Sequence, residues 1–196
     1  AINGTLTLAK GQRVALIAGS GVGKSTLLGM MTRQTRADVV VVALIGERGR
    51  EAGEFISEIL GPKGLEKSVV VLATSDATSV MRRRAADTAH LIAEYFRDQG
   101  KDVLLLCDSL TRVAHAQREI GLAAREPPTS KGYPPSVFGD LPKMMERGGC
   151  SDADGTITSV YTVLAEYDEG ADPIVEMARS TLDGQIMLSR DLADSG

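Results

Sequence analysis

The sequence predicts an α/β domain with a mostly parallel sheet and helices on both faces. Three observations carry this. Short apolar runs alternate with stretches of helical spacing along the chain. The runs at 38–45 (DVVVVALI) and 103–107 (VLLLC) lack polar alternation, as strands covered on both faces do. A glycine-rich turn joins the first clear run to the first helical stretch, the strand-to-helix corner of such domains.

Taken in order, residues 1–19 read as two short strand-like pieces, the second being a buried strand over 13–18. A helix is expected over 24–33 and a strand over 38–45. Residues 51–60 read as a helix ended by Gly61 and Pro62. Strand 69–73, helix 79–97 (stopped by Gly100), strand 103–107 and a helix to about Ala124 follow. EPPTSKGYPPS is a loop by its four prolines and its glycine, and 137–146 is a short helix. Strands are expected at 156–165 and 185–188, separated by the acidic loop EYDEGADP. Ligands on such a sheet sit at the carboxyl ends of the strands.

With 196 residues, the chain fits one domain over 1–196 with room for a large core. The formal net charge of −4 argues against a general nucleic-acid binder, which is usually basic. Cys107 and Cys150 make neither a metal-ligand spacing nor a disulfide framework, which fits a reducing cytosol. No apolar run approaches the ~20 residues that span a bilayer, so membrane association is expected only through a partner.

The strongest motif is AGSGVGKS at 18–25, which has P-loop spacing with alanine at the first position. Gly19, Gly21 and Gly23 let the backbone curl so that its N–H groups, with those of Ser20 and Val22, point at phosphate oxygens. The helix N-terminus adds its positive dipole end. Lys24 is placed to reach the β and γ phosphates of ATP. Ser25 is placed to ligate Mg²⁺, with Thr26 behind it.

Two carboxylates share that rim. Asp108 ends the apolar strand DVLLLCD, where a Walker-B aspartate holds Mg²⁺ through water; the bland alternative is a helix cap. Asp102, at the other end of that strand, reads as a solvated turn residue. Glu47 follows the strand end at Gly46, where a carboxylate can orient or deprotonate the attacking water. Arg48 could contact the γ phosphate or steady Glu47. The alternative for this pair is a solvated opening of the next helix.

In this order AGSGVGKS, GERGRE and LLLCDSLTR resemble the catalytic core of the flagellum-specific and type III secretion ATPases, which are similar to rotary-ATPase catalytic subunits. AQREIGLAA, EPPTSKGYPPSVF and LDGQIMLSRDLA extend the resemblance over nearly the whole chain. It implies a RecA-like P-loop NTPase core that hydrolyses Mg-ATP in a homo-oligomeric, hexameric ring. That ring sits in the cytoplasm, peripheral to the inner membrane at the base of the export apparatus. The expected partners are stalk and regulator proteins, export substrates and their chaperones, with no nucleic acid and only indirect membrane contact.

By the same resemblance Glu47 matches the catalytic glutamate, Arg48 the arginine after it, Asp108 the Walker-B residue and Arg112 a further arginine of the site. The EPPTSKGYPPSV loop would face the central pore, the alternative being a plain surface loop. Arg125 stands where relatives usually have Gly, and Gln185 replaces a usual His; neither is expected to touch phosphate. The family's N-terminal β-barrel and C-terminal helical domain lie outside the sequence, as does most of the adenine pocket and the trans-acting arginine finger. The chain alone is therefore expected to turn over slowly. A RecA-like helicase or nucleic-acid translocase and a noncatalytic ring subunit are the alternatives. Arg82, Arg83 and Arg84 read as a solvated face or a subunit contact, with an acidic partner as the sharper alternative, and His90 and His115 as packing or surface residues.

Overall fold

A computed structural model describes residues 6–150, 154–165 and 172–195. They form a sheet in the order β3-β2-β4-β6-β1-β7, in which all these neighbours run parallel. The α/β expectation therefore holds. The strands are β1 (Arg13–Ala18), β2 (Val39–Ile45), β3 (Ser68–Ala73), β4 (Asp102–Asp108), β6 (Thr156–Leu164) and β7 (Gly184–Met187). A two-residue strand, β5 (Gly149–Cys150), pairs antiparallel with the start of β6.

Alternation along the central strands divides the core into two layers. Val41, Ala43, Ile45, Leu105, Cys107 and Tyr161 face one side. There they meet α4 (Ser79–Arg97), α5 (Leu110–Ala123), α6 (Pro135–Met145) and α7 (Pro173–Thr181). Leu16, Val40, Val42, Leu44, Leu104, Leu106 and Val160 face the other side. That layer is covered by α1 (Lys24–Gln34), α2 (Gly49–Glu54), a π-helical segment (Phe55–Leu60) and α3 (Gly61–Leu65). A last short helix, α8, spans Arg190–Asp194. Among the described residues no helix is long and apolar enough to cross a membrane.

Several expectations need correction. Gly61, at φ 60°, does break the preceding helix, but Pro62 then starts a short new one, where its fixed φ and missing N–H cost nothing. Residues 173–181 form α7, where the sequence reading had only a loop followed by a strand. Asp172 caps it through a bond from Ile174 N at 2.8 Å, Pro173 opens it, and Ile174, Val175 and Ala178 bury one face. Residues 166–171 of the expected acidic loop, and 1–5 of the opening strand-like piece, lie outside the described residues.

Asp102 is no free turn residue: it pairs with Lys10, accepts from Thr156 Oγ1 at 2.9 Å, and its N–H is bound by Asp38 Oδ2. Arg82 pairs with Glu119 and Arg83 with Asp87, so two of the three clustered arginines brace α4. The proline-rich loop is tied down by Thr129, which bonds Tyr133 through both N–H and hydroxyl, and Arg118 lies over the Tyr133 ring.

Candidate active site

β1 ends at Ala18, and the next five residues turn the chain into α1. Gly21 and Gly23 sit at φ 80° and 86°, the left-handed region that costs an L side chain energy. A Cβ on either would meet nothing within 4 Å, so the backbone angle is the constraint and the space above the turn is open. Gly23 caps α1 without any side-chain bond, so the first-turn N–H groups are offered to an anion. Gly19 and Val22 are buried, while Ser20 and Thr26 are exposed.

Lys24 Nζ reaches across this cradle. It donates to Asp108 Oδ1 at 2.7 Å and lies 3.8 Å from Glu47 Oε1. All three side chains are largely buried, Asp108 most of all at 4%. Asp108 thus ends β4 beside the P-loop because β6 alone separates β4 from β1. The peptide that follows it, to Ser109, is cis. Ser109, not Asp108, caps α5, accepting from Arg112 N. The helix-cap alternative for Asp108 therefore falls.

Gly46 places Glu47. Its φ is 75°, and a Cβ there would stand 2.9 Å from Arg112 Cβ. Glycine thus serves both the turn and the close pass of Arg112. Gly46 N bonds Ala73 O at 2.7 Å, and Glu47 O accepts from Ser75 N, which fixes the backbone on both sides. The Glu47 carboxyl is raised above the ordinary range, first by burial and then by the Asp108 charge; Lys24 and Arg112 oppose this without cancelling it. A carboxylate held this way is a stronger base than a solvated one.

Arg112, half-buried in the first turn of α5, keeps its Nε buried and without a hydrogen-bond partner. An orphaned guanidinium donor beside Glu47 suits an anionic ligand. Arg48 is not drawn into this group: its side chain is 79% exposed and pairs with Glu51 at 3.2 Å.

The oxygen donors fit Mg²⁺ in one specific way. Among the described residues no group of three or more His, Cys, Asp and Glu could hold a metal alone. Ser25 and Asp108 supply hard oxygens at the mouth of an open phosphate cradle, which suits an ion completed by phosphate and water.

Two residues escaped the sequence reading. Thr162 Oγ1 donates to Asp108 Oδ1 at 2.7 Å, and Arg190 bonds the Ser20 carbonyl at 3.1 Å. A hydroxyl inside the apolar run SVYTVL was the available hint of the first. The second had none, since it depends on α8 folding back over the turn.

The whole chain, residues 1–196, matches the model of the ATP synthase alpha/beta family, nucleotide-binding domain. It is 63% identical to the flagellum-specific ATP synthase of Pseudomonas aeruginosa over 196 residues, covering all of this chain and 44% of that protein. It is 59% identical to a type 3 secretion system ATPase of Xanthomonas euvesicatoria, covering 98% of this chain and 43% of that one. The chain thus spans less than half the length of these relatives.

Among solved structures, a prototypical ATPase from the type III secretion system of pathogenic bacteria superposes with a TM-score of 0.94 at 54% identity. It covers 98% of this chain and 55% of that one. The assembled ATPase EscN of enteropathogenic E. coli gives 0.92 at 55% identity, covering 99% and 47%. The same ATPase has been solved in complex with its central stalk EscO, at a TM-score of 0.89, 53% identity, and coverages of 96% and 44%.

Proposed function

Since this chain belongs to the ATP synthase alpha/beta family as a nucleotide-binding domain, we propose that it binds Mg-ATP and hydrolyses it to drive protein export in a flagellar or type III secretion apparatus. The observation that carries this reading is the Lys24 ammonium, held between Asp108 and Glu47 at the open mouth of the P-loop.

Lys24 and the N–H groups of 19–26 bind and orient the β and γ phosphates. Ser25 and Asp108 would hold Mg²⁺, Asp108 through water, and the ion would supply neutralising charge to the phosphates. Glu47 accepts a hydrogen bond from the attacking water and aligns it with the γ phosphorus. Arg112, beside Glu47, adds positive charge toward the charge that develops on the transferred group. Arg48 sits at the entrance, exposed, and exchanges its contact with Glu51 for the γ phosphate when nucleotide enters.

A neighbouring copy supplies an arginine finger, worth ~10³–10⁵ in rate, in a hexameric ring. The ring grips a stalk protein and works on export substrates and their chaperones in the cytoplasm, peripheral to the inner membrane.

The test is Mg-ATP turnover across a protein concentration series. It is measured for this chain and for the same chain within a protein of its relatives' length, each beside Glu47→Gln. Specific activity of the longer protein that rises with concentration and vanishes in the variant is expected, with slow turnover of the chain alone. ATP bound but no turnover at any concentration makes the domain noncatalytic and removes the mechanism.

A further inference from the structure

Asp108 is the most deeply buried charge of the site, and a buried carboxylate serves a metal only if its orientation is set. The strand pattern shows what sets it. Leu104 and Leu106 of β4 and Val160 of β6 line one face of the sheet. Asp108 and Thr162 come two residues later on neighbouring strands, one step beyond the Cys107–Tyr161 pair, and continue that face. Thr162 is fully buried.

Its hydroxyl has one proton. Two acceptors are in reach, Asp108 Oδ1 at 2.7 Å and the Cys107 carbonyl at 3.4 Å, and the shorter, charge-assisted bond takes it. Lys24 donates to that same Oδ1. Both side-chain donors thus converge on one oxygen, and Oδ2 accepts from neither.

We propose that Thr162 is a positioning residue for the metal-side carboxylate: its hydroxyl pins Asp108 Oδ1 and leaves Oδ2 to the water shell of the cation. Lys24 can do this only until phosphate draws its ammonium away. Thr162 has no such competing ligand, so it keeps the carboxylate in one rotamer through the whole cycle. Its neighbour Tyr161 points into the opposite layer and bonds His90 Nε2 at 2.9 Å, which fixes the strand position from behind. The inference rests on Asp108 being the carboxylate that faces Mg²⁺.

The experiment titrates Mg²⁺ into the protein with a fluorescent ATP analogue and reads binding, not turnover. Thr162→Val raises the Mg²⁺ concentration for half-maximal metal-dependent binding by about 10–100-fold, with metal-free binding unchanged. Thr162→Ser, which keeps the hydroxyl, stays within about threefold of wild type. Thr162→Ala removes the hydroxyl without demanding room for a second methyl, and matches Thr162→Val should that variant not fold.

Wild-type curves in the hydroxyl-free variants, even with a lowered melting temperature, overturn the proposal by making Thr162 a packing residue. So does an equal shift in Thr162→Ser. Asp108→Asn separates the two levels. If it abolishes the Mg²⁺ dependence while Thr162→Val leaves it intact, only the role of Thr162 fails. If Asp108→Asn itself leaves the dependence intact, the metal-side reading of Asp108 fails first.

Discussion

Lowering the pH from 7.5 to 5 should destabilise this domain through one buried histidine. His90 on α4 is 1% exposed. Its Nδ1 lies 2.8 Å from the Ala86 carbonyl, which can only accept, so Nδ1 carries the proton and Nε2 accepts from the Tyr161 hydroxyl at 2.9 Å. Protonating Nε2 would bury a charge and turn the Tyr161 hydroxyl from donor to acceptor, leaving its proton only the Met145 carbonyl at 3.4 Å. Burial pushes the imidazole down from 6.5 to about 4, with the Ala86 bond and nearby carboxylates opposing weakly.

The folded value lies below the unfolded one. Stability present above the ordinary histidine value is therefore lost as pH falls toward the folded value. At 1.36 kcal/mol per pH unit, the window is worth roughly 3 kcal/mol, of which about 2 kcal/mol is gone near pH 5. Urea unfolding at several pH values measures it, with His90→Gln as the comparison. His115 is depressed too, chiefly by burial, so the part of the slope that belongs to His90 is the part the variant removes. A wild-type stability flat between pH 7.5 and 5, or a variant with an unchanged slope, would refute the reasoning.

The raised Glu47 carboxyl predicts that the acid limb of the turnover profile lies above the ordinary glutamate range. Wild type gains stability as pH falls through the folded value of Glu47, and Glu47→Gln, which lacks this gain, should melt no lower than wild type at neutral pH. Arg125, at φ 66°, occupies the position after the α5 cap, where its N–H bonds Leu122 O and the Glu126 N–H bonds Gly121 O. That is a Schellman end built for glycine, so Arg125→Gly should add about 0.5–1 kcal/mol in thermal melts; a loss would deny the strain. Gly29 on α1 faces Ile59 so closely that a Cβ would stand 2.1 Å from its Cγ2. Gly29→Ala should cost about 1–3 kcal/mol in urea unfolding and weaken nucleotide binding by moving the P-loop helix; unchanged binding would show that α1 does not transmit the displacement.

The sequence by itself determined the sheet and the cradle. Those depend on local pattern: unbroken apolar runs require two covered faces, and Gly21 and Gly23 hold angles that few other residues tolerate. Local pattern also put Glu47 and Asp108 on one rim, each just past or at the end of an apolar run, and Lys24 at the helix start after the glycine turn, while the role of Glu47 came from the family resemblance. The errors came where local signals conflict or stop. The Asp172-Pro173 helix start was hidden inside an acidic stretch, and Gly61-Pro62 ended one helix only to begin another.

Tertiary structure alone decided what the site's charges touch. Arg48, adjacent to Glu47 in sequence, turns out to Glu51, while Arg112, some sixty positions away, passes under Gly46 and lies beside Glu47. Thr162 meets Asp108 because β6 lies between β4 and β1, a strand order no single segment encodes. Strand and turn preferences act over a few residues, whereas hydrogen-bond partners are chosen by the packing of the whole sheet.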